Sequence, residues 1–289
     1  MSESTKSGKV IIAGAGPGDP ELISVKAVRW LQKADVVLTD HLVSPEILSE
    51  YVNPAAEIIS VGDNGKYAQF TTQQKINQLL VEHSRAGKIV VRLKGGDVSV
   101  FGNLLDELQT LAENDVQYEI VPGISAAFGA AAYAGIPLTA RNYASAVRFM
   151  SYHRTDAPAE NYWKELAATS DTLVFYMTTG TLHNIIENLQ KNGITSDKYM
   201  AVVEQATTRL QNVHVSNIYR YKEELGEREF ASPSLLIVGR VVALHEQFAW
   251  IRNSNSQELY FNDPALFESA SGGEQDDLQT STNLDRASV

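Results

Sequence analysis

The chain opens on a short apolar run, Val10-Ile11-Ile12-Ala13, that stops at Gly14, and apolar spacing resumes only at Val25, Val28 and Leu31. A run of that length ending in glycine predicts a buried strand, and the later spacing predicts a helix from Leu22 to Ala34. The alternation then repeats. Val36 to Asp40 reads as a strand ending on a carboxylate, and Ser44-Pro45 as the start of a helix running to Tyr51, with serine as N-cap and proline at the first helical position. Ile58 to Val61 is a third strand, and Thr71-x-x-Gln74 is a capping box opening a helix that ends at Gly87. Ile89 to Lys94 and Tyr118 to Val121 are the fourth and fifth strands, and the alanine-rich stretch from Gly123 to Gly135 is a closely packed helix. Five strands joined by helical crossovers predict a parallel α/β sheet.

Beyond Pro137 the rhythm changes. Val147–Tyr152, Thr172–Met177, Met200–Glu204, Val213–Val215 and Leu235–Gly239 read as strands with fewer and shorter helices between them, as in a second, mixed α/β domain. The expected division is 8–139 for the first domain, 140–252 for the second and 253–289 for a tail. That tail lacks helical or strand periodicity and is expected to be disordered.

Charge sharpens this division. The net charge is −11, and from Asn255 onward seven carboxylates stand against Arg286 alone, so −6 belongs to the tail and −5 to the body. An acidic body without a basic aromatic stripe gives no reason to expect a nucleic-acid partner. With no cysteine there is no disulfide, thiolate metal site or cysteine nucleophile, and the six histidines lack close helical spacing, so no metal is expected. Pro122 and Pro137 bracket too few residues in the longest uncharged stretch for a membrane span, and residues 1–7 lack the apolar core of a signal peptide. A cytoplasmic location is the expectation.

Candidate chemistry gathers at the strand ends. Gly14-Ala15-Gly16-Pro17-Gly18-Asp19 follows the first strand and Gly95-Gly96-Asp97 the fourth, where open α/β sheets bind small molecules. Asp19 occupies the place of the third glycine in a dinucleotide fingerprint, and the second turn lacks the Lys-Ser/Thr of a phosphate loop. Asp40 reads equally as a chemical carboxylate or as a cap, His41 as a polar loop residue, and Met177 by itself as core filling.

Read in order from Lys9 to Trp250, the segments Gly14–Pro20, Ala34–Val37, Asp40–Ser44, Val91–Asp97, Val121–Ala127, Ala132–Thr139, Thr172–Met177 and Ser232–Leu244 resemble the uroporphyrinogen-III C-methyltransferases. The resemblance implies the two-domain tetrapyrrole methylase fold and a homodimer. It also implies transfer of two methyl groups from S-adenosylmethionine to C2 and C7 of uroporphyrinogen III, giving precorrin-2 for sirohaem or cobalamin. Position by position, the family's cofactor contacts fall on Pro17, Gly95, Gly96, Asp97, Val100, Ser125, Ala126, Met177 and Ala206, and its proton acceptor on Asp40. The substrate's eight carboxylates call for local positive charge, for which Lys94, Arg141, Arg148, His153 and Arg154 are candidates.

The chain also departs from the family pattern. Val98, Asn103, His41 and Ala206 replace usual residues, and Asp63 stands where the family's proton-donor lysine is expected, with Lys66 three positions later. These departures leave two alternatives open: a methyltransferase of the same fold acting on another corrinoid intermediate, and a binding module without catalysis.

Overall fold

The computed structural model describes residues 8–61, 72–152, 160–177, 180–226 and 228–262. The first sheet is parallel throughout. It contains β1 (Lys9–Gly14), β2 (Val36–Thr39), β3 (Glu57–Ser60), β4 (Ile89–Lys94) and β5 (Tyr118–Val121) in the order β3-β2-β4-β1-β5. Helices α1 (Val25–Leu31), α2 (Pro45–Tyr51), α3 (Gln73–Arg85) and α4 (Leu104–Glu113) connect and cover it, and α5 (Ala126–Tyr133) leaves it after β5. Covering both faces makes β1, β2 and β4 continuous buried runs rather than alternating ones, which is why they were visible as apolar blocks.

The second sheet is mixed, with β6 (Val147–Ser151), β7 (Thr172–Tyr176), β8 (Tyr199–Glu204), β9 (Asn212–Asn217) and β10 (Ser234–Gly239) in the order β6-β7-β10-β8-β9. Only β6 and β7 run parallel, and the other pairs are antiparallel. Helices α6 (Glu160–Ala168) and α7 (Leu182–Lys191) pack on one face of it. The other face shares a core with the small side chains of α5, among them Ala127, Ala130, Ala131 and Ala134, so the alanine-rich helix joins the two sheets.

Two expectations need correction. The N-cap of α3 is Thr72, whose hydroxyl accepts from the Lys75 amide, and Thr71 of the expected capping box lies outside the described residues. Residues 253–262, assigned with the tail on charge and lack of periodicity, are instead tied to the body by hydrogen bonds and two buried aromatics, with most of the other side chains exposed. The Asn253 side chain bonds both the amide and the carbonyl of Val213, and Tyr260 and Phe261 are buried at 4% and 3% exposure. Two aromatic side chains without periodic neighbours gave no pattern to detect, yet they bury enough apolar surface to hold the segment. Residues 263–289 lie outside the described residues.

Candidate functional site

At the carboxyl ends of β1 and β4 the two glycine turns bind each other. The Gly16 amide donates to the Gly96 carbonyl at 3.1 Å and the Gly96 amide to the Gly16 carbonyl at 2.7 Å, a small antiparallel bridge at the end of a parallel sheet. A third glycine closes the junction. A Cβ on Gly14 would lie 2.6 Å from the Gly96 carbonyl oxygen and 2.7 Å from the Gly123 Cα, so three backbones meet where no side chain fits. Asp97 locks the arrangement, accepting from the Gly123 amide at 2.9 Å and from both the amide and the hydroxyl of Ser99. Burial pushes its carboxyl up, but these bonds outweigh burial and hold it below the usual range.

Asp19, which breaks the dinucleotide fingerprint, is occupied by structure. It caps a 3-10 turn through the Glu21 amide and accepts the Tyr133 hydroxyl at 2.5 Å. Burial and this carboxylate raise the Tyr133 phenol to about 12.

A cavity of about 820 Å³ opens on these turns, within the span of about 300–1,000 Å³ typical of small-molecule sites. Pro17, Gly95, Gly96, Asp97 and Val100 line it from the two turns, Ser125 and Ala126 from the start of α5, Met177 and Ala206 from the second sheet, and Asp40 from the end of β2. All ten candidate residues therefore border one space.

Met177 is not core filling: it is 47% exposed and takes a positive φ of 59°, which turns the chain at the end of β7. Gln205 and Phe101, also around this space or beside its lining, have φ of 47° and 53°, so unfavourable backbone concentrates here. Asn103 takes φ 52° at the start of α4 and bonds Gln73, while Val98 is buried in the first core, so two of the departures have structural roles.

Asp40 is held from both sides. Its carboxylate accepts from the Leu42 amide at 3.1 Å and the Gly95 amide at 3.3 Å, with an Arg92 guanidinium nitrogen at 3.9 Å. It therefore caps its own turn rather than α2. Period-two alternation places Arg92 and Lys94 of β4 on one face, where α4 supplies Glu107. The Glu107 Oε1 accepts from Lys94 at 2.7 Å and from Arg92 at 3.1 Å, and Glu107 is fully buried. Burial and the neighbouring Arg92 push the Lys94 ammonium below its usual range, against the pull of Glu107. Sequence reading missed Glu107, although two cations in an otherwise apolar strand signal that a covering helix must supply an acid.

Tyr176 was also missed. Its hydroxyl pairs with the Ser125 hydroxyl at 2.6 Å and accepts from the Ala127 amide at 3.3 Å, tying β7 to the first turn of α5. Burial raises its phenol above the usual value. His41 lines the same cavity, with its Nδ1 buried and without a partner among the described residues.

Of the expected cations, Lys94 lines the cavity, whereas Arg141 and Arg148 do not. Arg148 is bound to Asp171 at 2.7 Å and to Glu165 at 2.5 Å, and Arg141 lines a separate groove with Arg240. Charge pairing on the second sheet consumes the first, and the chain turn after Thr139 carries the second elsewhere. Lys66, Asp63, His153 and Arg154 lie outside the described residues. Among the described residues no group of His, Asp or Glu could hold a metal ion, and no helix is long and apolar enough to cross a membrane.

The sequence pattern of the tetrapyrrole (corrin/porphyrin) methylases matches residues 9–221, which include both glycine turns, Asp40, Met177 and Ala206. The chain belongs to this family. It is 44% identical over 251 residues to a siroheme synthase of Pseudomonas fluorescens, covering 87% of this chain and 54% of that protein. The chain thus spans about half the length of the curated relatives it matches. Among solved structures it resembles a uroporphyrin-III C-methyltransferase of Thermus thermophilus complexed with S-adenyl homocysteine, with 34% identity, TM-score 0.69, and coverage of 82% of this chain and 100% of that one. It also resembles a cobalt precorrin-4 methyltransferase, at 26% identity and TM-score 0.73, covering 84% of this chain and 99% of that one.

Proposed function

We propose that this tetrapyrrole methylase transfers methyl groups from S-adenosylmethionine to C2 and C7 of uroporphyrinogen III, yielding precorrin-2 through precorrin-1. The observation that carries the reading is the convergence of ten separately placed residues on one cavity at the carboxyl ends of β1, β2 and β4. The likeness to a uroporphyrin-III C-methyltransferase complexed with S-adenyl homocysteine supports it.

The cradle suits a sulfonium nucleoside. Gly96 leaves room for close backbone approach, and the Ala126 amide at the first position of α5 lacks an intrahelical partner by helix geometry. Pro17, Val100, Met177 and Ala206 add apolar contact, while Asp97 and Ser125 are the polar groups of the set. We assign residues 8–139 and 140–252 as the two domains that share this cradle, with the protein acting as a cytoplasmic homodimer.

S-adenosylmethionine supplies an electrophilic methyl group, and the pyrrole carbon is already a nucleophile, so the chain's task is alignment and proton management. Asp40 is the acceptor for the proton lost from the methylated ring. Its carboxylate is fixed by the Leu42 and Gly95 amides and borders the cavity beside the glycine turn.

Anaerobic incubation with uroporphyrinogen III and S-adenosylmethionine should produce precorrin-2, followed by absorbance and mass. Binding of S-adenosylhomocysteine without any product would instead support a binding module. The likeness to cobalt precorrin-4 methyltransferase supports a second reading, action on a later corrinoid, which predicts an intact cofactor site and no turnover of uroporphyrinogen III.

A further inference from the structure

The segment after the second sheet crosses to the first and ends against the Asp40 turn. Its course is fixed at three places. The Asn253 side chain grips the Val213 backbone in both directions, at 2.8 and 3.0 Å. Gln205, next to Ala206 of the cavity, donates to the Glu258 carbonyl at 3.0 Å and accepts from the Tyr260 amide at 2.6 Å. The Tyr260 hydroxyl then reaches α2, where it meets the Ser44 hydroxyl at 2.8 Å and the Glu46 carboxylate at 2.5 Å. The Ser44 hydroxyl is thereby drawn into this cluster and makes no side-chain cap on its helix.

Phe261 borders the cavity, packing edge-on against Tyr260 at 5.0 Å and in a small apolar cluster with Leu210 and Leu42. Leu42 is the link to the chemistry. Its amide holds the Asp40 carboxylate, and its side chain lies where a Cβ on Gly95 would come within 2.8 Å.

We infer that residues 253–262 form a strap that positions the Asp40 turn and completes the tetrapyrrole half of the cavity, with Tyr260 as latch and Phe261 as wall. This rests on the methyltransferase reading above. The strap lies beyond residue 221, where the family match ends. Phe261 borders the cavity through the little of its surface left exposed and packs with Leu42, whose amide holds Asp40. Tyr260 spans the two sheets, since Gln205 follows β8 and Ser44 precedes α2.

The test uses the full chain with Tyr260→Phe, Phe261→Ala and Phe261→Leu. Binding of uroporphyrin III is followed by fluorescence, binding of S-adenosylhomocysteine by calorimetry, and turnover of uroporphyrinogen III under anaerobic conditions. Loss of the aromatic wall should raise the KM and Kd for the tetrapyrrole about tenfold, and leucine should restore most of it. Loss of the latch hydroxyl should lower kcat about tenfold. S-adenosylhomocysteine affinity should stay within about twofold for all three. A merely structural strap would instead weaken both ligands together with the melting temperature, and that result overturns the inference. Equal tetrapyrrole affinity and kcat in wild type and variants would also overturn it, while leaving the methyltransferase reading intact. Failure of the wild type to bind or methylate any tetrapyrrole removes that reading and the strap's substrate role with it.

Discussion

Gly123→Ala tests whether the meeting of three backbones is what shapes the cofactor turns. An alanine Cβ here would stand 2.3 Å from the Gly96 carbonyl oxygen and 2.9 Å from the carbonyl carbon and Cα of Gly14. Every one of these atoms is main chain, so no rotamer change relieves the contact. Ordinary contact begins near 3.4 Å, so one loop must retreat by about 1 Å, and inserting a methyl group into a packed interior costs about 1–3 kcal/mol. The Gly96 carbonyl that must move is also the acceptor for the Gly16 amide, and the Gly123 amide is a donor to Asp97. The cost therefore falls on the turns themselves.

Expressed as stability, such a loss lowers Tm by about 2–12 °C for a domain in this size range. Expressed at the site, it weakens S-adenosylhomocysteine about 5- to 150-fold, since each 1.4 kcal/mol is about tenfold. Differential scanning fluorimetry and calorimetry measure the two. Gly193→Ala is the control: its φ of 80° strains any side chain, yet nothing lies within 4 Å of the added Cβ. It should lower Tm and leave ligand affinity unchanged. Wild-type Tm and wild-type affinity in Gly123→Ala would refute the reasoning.

Asp40→Asn keeps an acceptor oxygen for the Leu42 and Gly95 amides, so S-adenosylhomocysteine binding should hold while turnover falls about 10²- to 10⁴-fold, as for loss of a proton-transfer group; equal turnover would remove Asp40 from the mechanism. Tyr176→Phe leaves the Ser125 hydroxyl and the Ala127 amide without their partner, which should cost about 1–3 kcal/mol, read as weaker cofactor binding by calorimetry. Glu107→Gln leaves Arg92 and Lys94 buried without their counter-ion, and Tm should reflect a loss of about 3–5 kcal/mol. Glu119 is lowered to about 2 by hydrogen bonds from Lys26, Lys9 and Trp30. A depressed folded value means that its stabilisation is present above the ordinary value of 4.5 and is lost as pH falls toward 2. With its side chain 23% exposed and its partners wet, the effect is under about 1 kcal/mol, so Glu119→Gln should lower Tm slightly at pH 7 and not at pH 2.

What the sequence revealed and what it hid follow from how each feature is encoded. While the partly exposed β3, β5 and β6 showed only short apolar stretches, strands such as β1, β2, β4, β8 and β10 were visible because near-continuous burial leaves an apolar run as a local signature. The glycine turns were visible for the same reason, but their mutual hydrogen bonding was not. Gly16 and Gly96 are 80 positions apart, and nothing in either turn announces the other as partner. Glu107 was hidden because its meaning depends on the helix face it occupies opposite Arg92 and Lys94. Met177 looked like core because a methionine ending an apolar strand usually is, and only the positive φ at that position turns it outward. Tyr260 and Phe261 sit among acidic and polar neighbours, so composition concealed two of the more buried aromatics of the chain.

Charge around the cavity sets a condition on the substrate. Among the described residues lining it, the permanent cations are Arg92 and Lys94, and both already share Glu107, with Asp40 close to Arg92. Two buried cations facing the buried Glu107 and the partly exposed Asp40 carry no net charge to offer an anionic ligand. A macrocycle bearing eight carboxylates is therefore not drawn in by this group. Its centre meets a neutral wall of glycine backbone, Phe101, Tyr176 and Phe261, while its charged rim must find other partners or remain in water. That division suits methylation at a ring carbon. The reacting carbon needs an apolar surround and one carboxylate able to take a proton. Glu107 thus has a consequence besides stability: it pairs with both cations that β4 presents to this cavity, one of which, Arg92, also stands 3.9 Å from Asp40.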